Sequence, residues 1–274
     1  MPLRTEHTLF GAELKRWRHH RRYSQLELAS VAAISQRHLS FLETGRSRPS
    51  PEMVEHLSVV LDIPLRARNS LLNTAGFADA YSEEPLDGPA LADVRASLET
   101  LVEAHNPFPA YVVDRGWNLL ISNTAATRLT GYLVPMDTAV AIGGNVLRLF
   151  LHPDGVRNSV VNWPQAAAVL IERLTAECTA NPTDTELSSL FAEVTSYDGV
   201  NDLRREAAYP STSSLLTDIH IKTDAVDLRL YTTISTLAAA ADITLQELRL
   251  ETLLPADPET AQTLRQLRTE HPQG

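Results

Sequence analysis

Two helix starts near the beginning of the chain constrain it more than any other feature. Ser24 followed by Glu27 has capping-box spacing, in which the hydroxyl accepts an orphan amide of the first turn and the carboxylate reaches back to the Ser24 amide. A helix beginning at Gln25 then buries Leu28, Ala29 and Ala32. Ser35 is the next N-cap, with Leu39 and Leu42 as the buried pair and Gly45 as the stop. Only Ala33 and Ile34 separate these helices, which predicts a helix-turn-helix. Before it, Phe10, Leu14 and Trp17 recur at i, i+4, i+7 and make an apolar stripe. After it, Pro49-Ser50-Pro51 opens a fourth helix with Val54, Leu57, Val60 and Leu61 inward, and a fifth runs from about Pro64 to Ala75 before Gly76. Residues 9–78 therefore read as an all-α, five-helix unit.

The charge has two parts. The whole chain of 274 residues carries 24 Lys+Arg against 34 Asp+Glu, a formal −10 that argues against a protein coated in nucleic acid. Residues 1–50 alone carry a net +5, and the remainder −15. A basic segment on an acidic body is expected where one domain meets phosphate and the other does something else. The single cysteine, Cys178, cannot form an internal disulfide, and no CxxC pair is present, which fits a reducing cytosol. No apolar run approaches the ~18 residues of a membrane helix, and the first ten residues do not form a secretory signal, so a cytoplasmic protein with no membrane partner is expected.

Residues 79–90 collect prolines, a glycine and acids and read as a linker. Beyond them the texture changes. Tyr111 to Val113 and Trp117 to Ser122 look like strands around the turn Asp114-Arg115-Gly116, and Asn123 can cap a helix holding Ala126 and Leu129. Trp163 to Ala180 reads as a long helix and Asp184 to Ser196 as another. Leu215 to Lys222 and Val226 to Ser235 form a hairpin candidate, Thr244 to Leu254 a further strand, and a last helix starts at Pro258. Residues 91–270 thus read as one α+β domain with an antiparallel sheet.

Helical geometry selects the side chains that would meet DNA. With Leu39 and Leu42 inward, Arg37, Ser40, Phe41 and Thr44 occupy the opposite face, Gln36 lies on its flank, and Ser35 stands at the helix start. Arg37 can donate two parallel hydrogen bonds to guanine O6 and N7, and Gln36 can both donate to and accept from adenine. Phe41 could meet thymine methyls or pack against the linker or the second domain. Arg46 and Arg48 follow in a short loop suited to phosphate.

Ser24-Gln25, Leu28-Ala29, Ala32, Ile34-Ser35, Leu39-Ser40, Leu42-Glu43, Gly45 and Arg46 to Pro49 together resemble the lambda-repressor-like (Cro/C1-type) DNA-binding domain. Ala33 departs from that pattern, where glycine is usual. The resemblance implies that Gln25 holds a phosphate, that Glu43 pairs with Arg18, and that a homodimer meets a two-fold operator. The string from Pro109 to Asn123, then Asn145 to Phe150, Trp163, Thr232-Thr233, Glu247 to Thr252 and Pro255 to Asp257 resemble the MmyB-like transcription regulators. That resemblance implies a PAS-like second domain with an apolar cavity and a fatty acid as bound effector. Candidates to line the cavity are Trp117, Leu119, Phe150, Trp163, Leu170, Leu228 and Tyr231, with Arg148 or Arg173 as carboxylate anchors.

Other functions find little support. No Ser/His/Asp, Cys/His or paired-carboxylate spacing points to an enzyme. Cys178 lies outside the context a flavin photosensor needs, His152 and His220 make poor haem ligands, and no metal pair or phosphate-binding loop is present, so no cofactor is expected. The alternative to ligand sensing is an antitoxin-like interaction module whose second domain binds a protein.

Overall fold

The computed structural model describes residues 3–181, 184–206, 218–238 and 240–267. It divides into two units: the first joins the chain up to Glu84 to a short return, 239–246, and the second takes Pro85 to 238 and the chain from Glu247 on.

The first unit contains α1 (Leu3–His20), α2 (Gln25–Val31), α3 (Gln36–Glu43), α4 (Pro51–Val60) and α5 (Leu65–Thr74). Both bonds of the Ser24 capping box form, the Ser24 amide to Glu27 at 2.7 Å and the Glu27 amide to the Ser24 hydroxyl at 3.2 Å. Ser35 and Ser50 cap α3 and α4 through their hydroxyls alone, which accept from the amides of His38 and Met53. Phe10, Leu14 and Trp17 of α1 close over Leu28, Leu39, Leu42 and Leu57 in one core. Gly11 permits α1 to lie against α3, because a Cβ there would overlap the Glu43 carbonyl. In the turn between α2 and α3, Ala33 sits at φ +52°, the left-handed region where a Cβ is strained.

The stretch read as a linker is divided. Residues 79–84 are fastened to the first unit: Asn69 accepts from the amides of Ala80 and Tyr81, and the Tyr81 hydroxyl donates to Glu55 at 2.6 Å. The short α13 (Ile243–Glu247) occupies the start of the segment expected as strand Thr244 to Leu254. The cause is Asp242, which accepts from the Leu245 amide and starts a helical turn before the strand can begin.

The second unit is built on a five-stranded antiparallel sheet of order β2-β1-β5-β4-β3, with β1 Ala110–Val113, β2 Leu119–Ser122, β3 Ile219–Lys222, β4 Asp227–Thr236 and β5 Arg249–Pro255. The α+β expectation is met. Tyr111 pairs with both Ser122 and Glu251, which fixes the register at the centre of the sheet. Residues 215–217 of the expected first hairpin strand lie outside the described residues. The long helix is α10 (Trp163–Ala180), and α11 (Thr185–Ser196) is capped by Asp184. Between β2 and α10 run α7 (Thr124–Leu133), α8 (Met136–Ala141) and α9 (Val146–Leu151), while α6 (Ala92–Ala104) packs on β1 and β2. α12 (Val200–Glu206) follows α11, and α14 (Pro258–Leu267) closes the described chain. Asn123 caps α7 through the Ala126 amide at 2.9 Å, and its own side-chain amide donates to the Phe108 carbonyl at 2.9 Å.

Trp117 is not a strand residue. It sits in the turn at φ +65°, with its indole wholly buried beneath the helical layer. Leu129, Leu147, Trp163, Ile171, Leu190 and Leu228 complete the core around it.

Candidate functional site

The outer face of α3 carries the residues that helical spacing places there. Ser35, Gln36, Arg37 and Thr44 are exposed, Ser40 and Phe41 are half-buried, and Arg46 and Arg48 are exposed in the loop that follows. The Phe41 ring lies under the Arg37 guanidinium, 5.3 Å from centroid to carbon. The stack fixes the direction in which Arg37 presents its donors. Arg48 lies over Phe77 in the same manner, at 5.6 Å. The Thr44 hydroxyl donates back to the Ser40 carbonyl at 2.7 Å, so it offers an outside partner only its lone pairs.

The positive charge of the first 50 residues is divided between structure and surface. Arg18 is buried and holds Glu43 through two hydrogen bonds, Nε to Oε1 at 2.6 Å and Nη2 to Oε2 at 3.1 Å. Arg21 binds the Leu61 carbonyl at 2.7 Å, and Arg16 pairs with Glu13. Arg37, Arg46 and Arg48 form no ion pair among the described residues, which leaves them as the cations of the α3 face. Gln25 donates its side-chain amide to Glu43 Oε2 at 2.8 Å, so α2 is locked to α3 through the same carboxylate that Arg18 holds.

The second unit holds an apolar cavity of about 290 Å3, open to solvent on one side, between the sheet and α7, α8 and α9. Tyr111, Leu119, Leu230 and Leu253 come from the sheet; Leu129, Leu133, Met136, Val140, Leu149 and Phe150 come from the helices. The volume is close to the lower end of small-molecule pockets, roughly 300 Å3.

Two family models match. The helix-turn-helix domain covers residues 9–71, and the MmyB-like transcription regulator ligand binding domain covers residues 94–267. The chain belongs to the MmyB-like transcription regulators. No curated protein matches it.

In this MmyB-like regulator, Leu119 and Phe150 are the sequence-selected candidates that line the cavity. Trp117, Trp163, Leu170 and Leu228 belong to the packed core beside it. Tyr231 lies next to the cavity-lining Leu230 on β4, and strand alternation turns it to the other face of the sheet. The two expected anchors do not reach the cavity. Arg148 is bound to Glu193 by two hydrogen bonds of 2.8 Å. Arg173 donates to Glu251 at 2.8 Å and lies 4.2 Å above the Trp117 ring.

Those contacts form a charged network behind the cavity wall. The Arg249 guanidinium also lies over the Trp117 ring, at 4.8 Å, and pairs with Glu177, whose second oxygen accepts from the Trp117 indole at 2.9 Å. Glu251 Oε2 accepts from the Tyr111 hydroxyl at 3.0 Å. Burial first, and the Glu251 carboxylate second, push the Tyr111 phenol well above its ordinary value, so it stays neutral.

Sequence reasoning missed α8 and with it Met136, Ala139 and Val140, which complete the cavity. Met136 and Val140, an apolar pair four residues apart directly after Pro135, were the available signal. Cys178 is half-buried, its thiol 3.6 Å from the Leu187 carbonyl, and burial pushes that thiol up. His220 pairs with Asp227 at 2.7 Å, and neither it nor His152 lines the cavity. Among the described residues no cluster suits a metal ion, and no helix is long and apolar enough to cross a membrane.

Proposed function

We propose that this regulator binds a two-fold operator as a homodimer, and that a small apolar molecule in the cavity of the second unit adjusts its grip on DNA. Arg37 and Gln36 read bases, while Arg46 and Arg48 hold phosphates. A chain-like ligand of the fatty-acyl kind suits a cavity walled by Leu, Val, Met and Phe side chains. The protein acts where the DNA is, in the cytoplasm.

One observation carries the ligand response. β4 and β5 wall the cavity with Leu230 and Leu253, and the segment that joins these two strands, 239–246, belongs to the unit that carries α3. A ligand that prefers one placement of the β4–β5 hairpin therefore acts on the segment that the hairpin carries. It can shift DNA affinity only by its preference between the two states, typically about 1–3 kcal/mol.

Selection of bound fragments from random DNA with the full chain tests the reading. An inverted repeat with half-sites about one helical turn apart is expected. Recovery of sequences without a shared motif would overturn it.

A further inference from the structure

We infer that Phe41 reads the C5-methyl group of a pyrimidine, so that α3 recognises a guanine through Arg37 and, on the adjacent base pair, a thymine or a 5-methylcytosine through Phe41. The inference deepens the proposal that Arg37 reads a base and rests on it.

Phe41 is the one large apolar side chain among the outward residues of α3, where Gln36, Arg37, Ser40 and Thr44 are its neighbours. It is half-buried, and among the described residues the core that holds Leu39 and Leu42 does not include it. The ring therefore keeps apolar surface in water until a partner covers it, which is a favourable step for whatever apolar group meets it.

The position of Arg37 selects that group. Its guanidinium lies over the Phe41 ring, 5.3 Å from centroid to carbon. A guanidinium that donates to O6 and N7 of a guanine lies in the plane of that base. A ring stacked on its face then stands at the level of the next base pair, about 3.4 Å along the duplex. The apolar group on the major-groove edge at that level is the thymine methyl; the other edge atoms are hydrogen-bond donors and acceptors, to which a phenyl ring offers no partner. Thr44, three residues further on, directs its hydroxyl proton to the Ser40 carbonyl at 2.7 Å and so does not offer it to a base. Because the contact is to the methyl group and not to the hydrogen-bonding edge, 5-methylcytosine satisfies it where plain cytosine does not.

The test uses the full chain and the operator it selects from random DNA. That operator should carry a thymine beside the guanine that Arg37→Ala no longer distinguishes. In gel-shift titrations, deoxyuridine in place of this thymine removes the methyl alone and should weaken wild-type binding by roughly three- to fivefold, the factor for one lost methyl contact. At the same position 5-methylcytosine should bind more tightly than cytosine by a similar factor. Phe41→Ala should bind the thymine and deoxyuridine duplexes alike, whatever its overall affinity, and Phe41→Gln provides the same comparison if the first variant does not fold.

Equal wild-type affinity for the thymine and deoxyuridine duplexes, or a selected operator with no thymine beside that guanine, would overturn the inference and leave Arg37 as a base reader. A methyl preference that survives in the Phe41 variants would assign it to another side chain and overturn the inference as well. If Arg37→Ala loses operator and scrambled DNA equally, the base-reading proposal itself falls, and the inference with it.

Discussion

The backbone amide of Leu65, the first residue of α5, donates to the side-chain carbonyl of Gln246 at 2.9 Å, across 181 positions of sequence. Pro64 precedes α5 and offers no side-chain cap, so Gln246 satisfies an amide the local sequence leaves open. Four residues earlier, Asp242 Oδ2 accepts from the Ser82 hydroxyl at 2.8 Å and from the Glu84 amide at 3.1 Å, and the Ile243 amide returns a bond to the Ser82 carbonyl at 2.9 Å. The β4–β5 connection is thus part of the architecture of the DNA-binding unit.

Asp242→Ala should destabilise the full chain by about 1–3 kcal/mol in urea denaturation, because Ser82, Glu84 and Leu245 lose their acceptor. The loss should depend on pH. Burial works to raise the Asp242 carboxyl, and the bonds from Glu84, Ser82, Leu245 and Thr244 together outweigh it, so its value is lowered. A carboxyl lowered on folding contributes stability that is fully present above its unfolded value, roughly 3.9, and is lost as pH falls through the folded value. The gap between wild type and Asp242→Asn should therefore narrow only below about pH 4. A gap that narrows on raising the pH instead would contradict the hydrogen-bond account.

Ala33→Gly should stabilise the first unit by about 0.5–1 kcal/mol, since glycine adopts φ +52° without the Cβ penalty and offsets part of that gain through its unfolded-state entropy. Gly11→Ala should do the opposite and prevent α1 from closing on α3, because the new methyl meets the Glu43 and Leu42 carbonyls, which cannot move aside as a side-chain tip can. Thermal unfolding followed by circular dichroism separates the two signs.

The helix-turn-helix was legible because its signals are local. Ser24, Glu27 and Ser35 act within one turn of their own position, and the stripes of α1 and α3 repeat at helical period. The cavity was only half legible. Leu119 and Phe150 sit at its wall, but so many apolar residues of this unit are core that composition could not separate lining from packing, and Trp163 and Leu228 fell on the packed side. Arg148 and Arg173 were misjudged for a related reason: their partners Glu193 and Glu251 lie 45 and 78 positions away, and no local rule reveals such pairing. Asp242 and Gln246 were hidden in the same way.

Glu43→Ala should cost about 3–5 kcal/mol, because it leaves the buried Arg18 guanidinium without its carboxylate and releases Gln25 as well. Glu43→Gln should recover part of that loss by keeping the acceptor. Equilibrium denaturation of both variants checks the order; equal stability of wild type and Glu43→Ala would show that the pair is dispensable.

On DNA, Arg37→Ala should lose discrimination between a selected operator and a scrambled one, while Arg48→Ala should weaken both alike and lower the salt dependence. Phe41→Ala should resemble a milder Arg37→Ala, since the ring beneath the guanidinium is removed and the donors remain. Gel-shift titrations on the two duplexes at fixed salt measure all three. Equal losses on both duplexes for Arg37→Ala would remove it from base reading.

The central claim is that the cavity and the DNA-reading face are coupled through the β4–β5 connection, and operator affinity measured with and without saturating sodium decanoate, in wild type and in Asp242→Ala, tests it most directly. Wild type should change its operator affinity by roughly 5- to 150-fold on ligand addition, and decanoate affinity should change by the same factor when operator is bound. Asp242→Ala should bind decanoate normally and show little of that change. An operator affinity that decanoate leaves unaltered in wild type, or a shift that Asp242→Ala retains in full, would contradict the account.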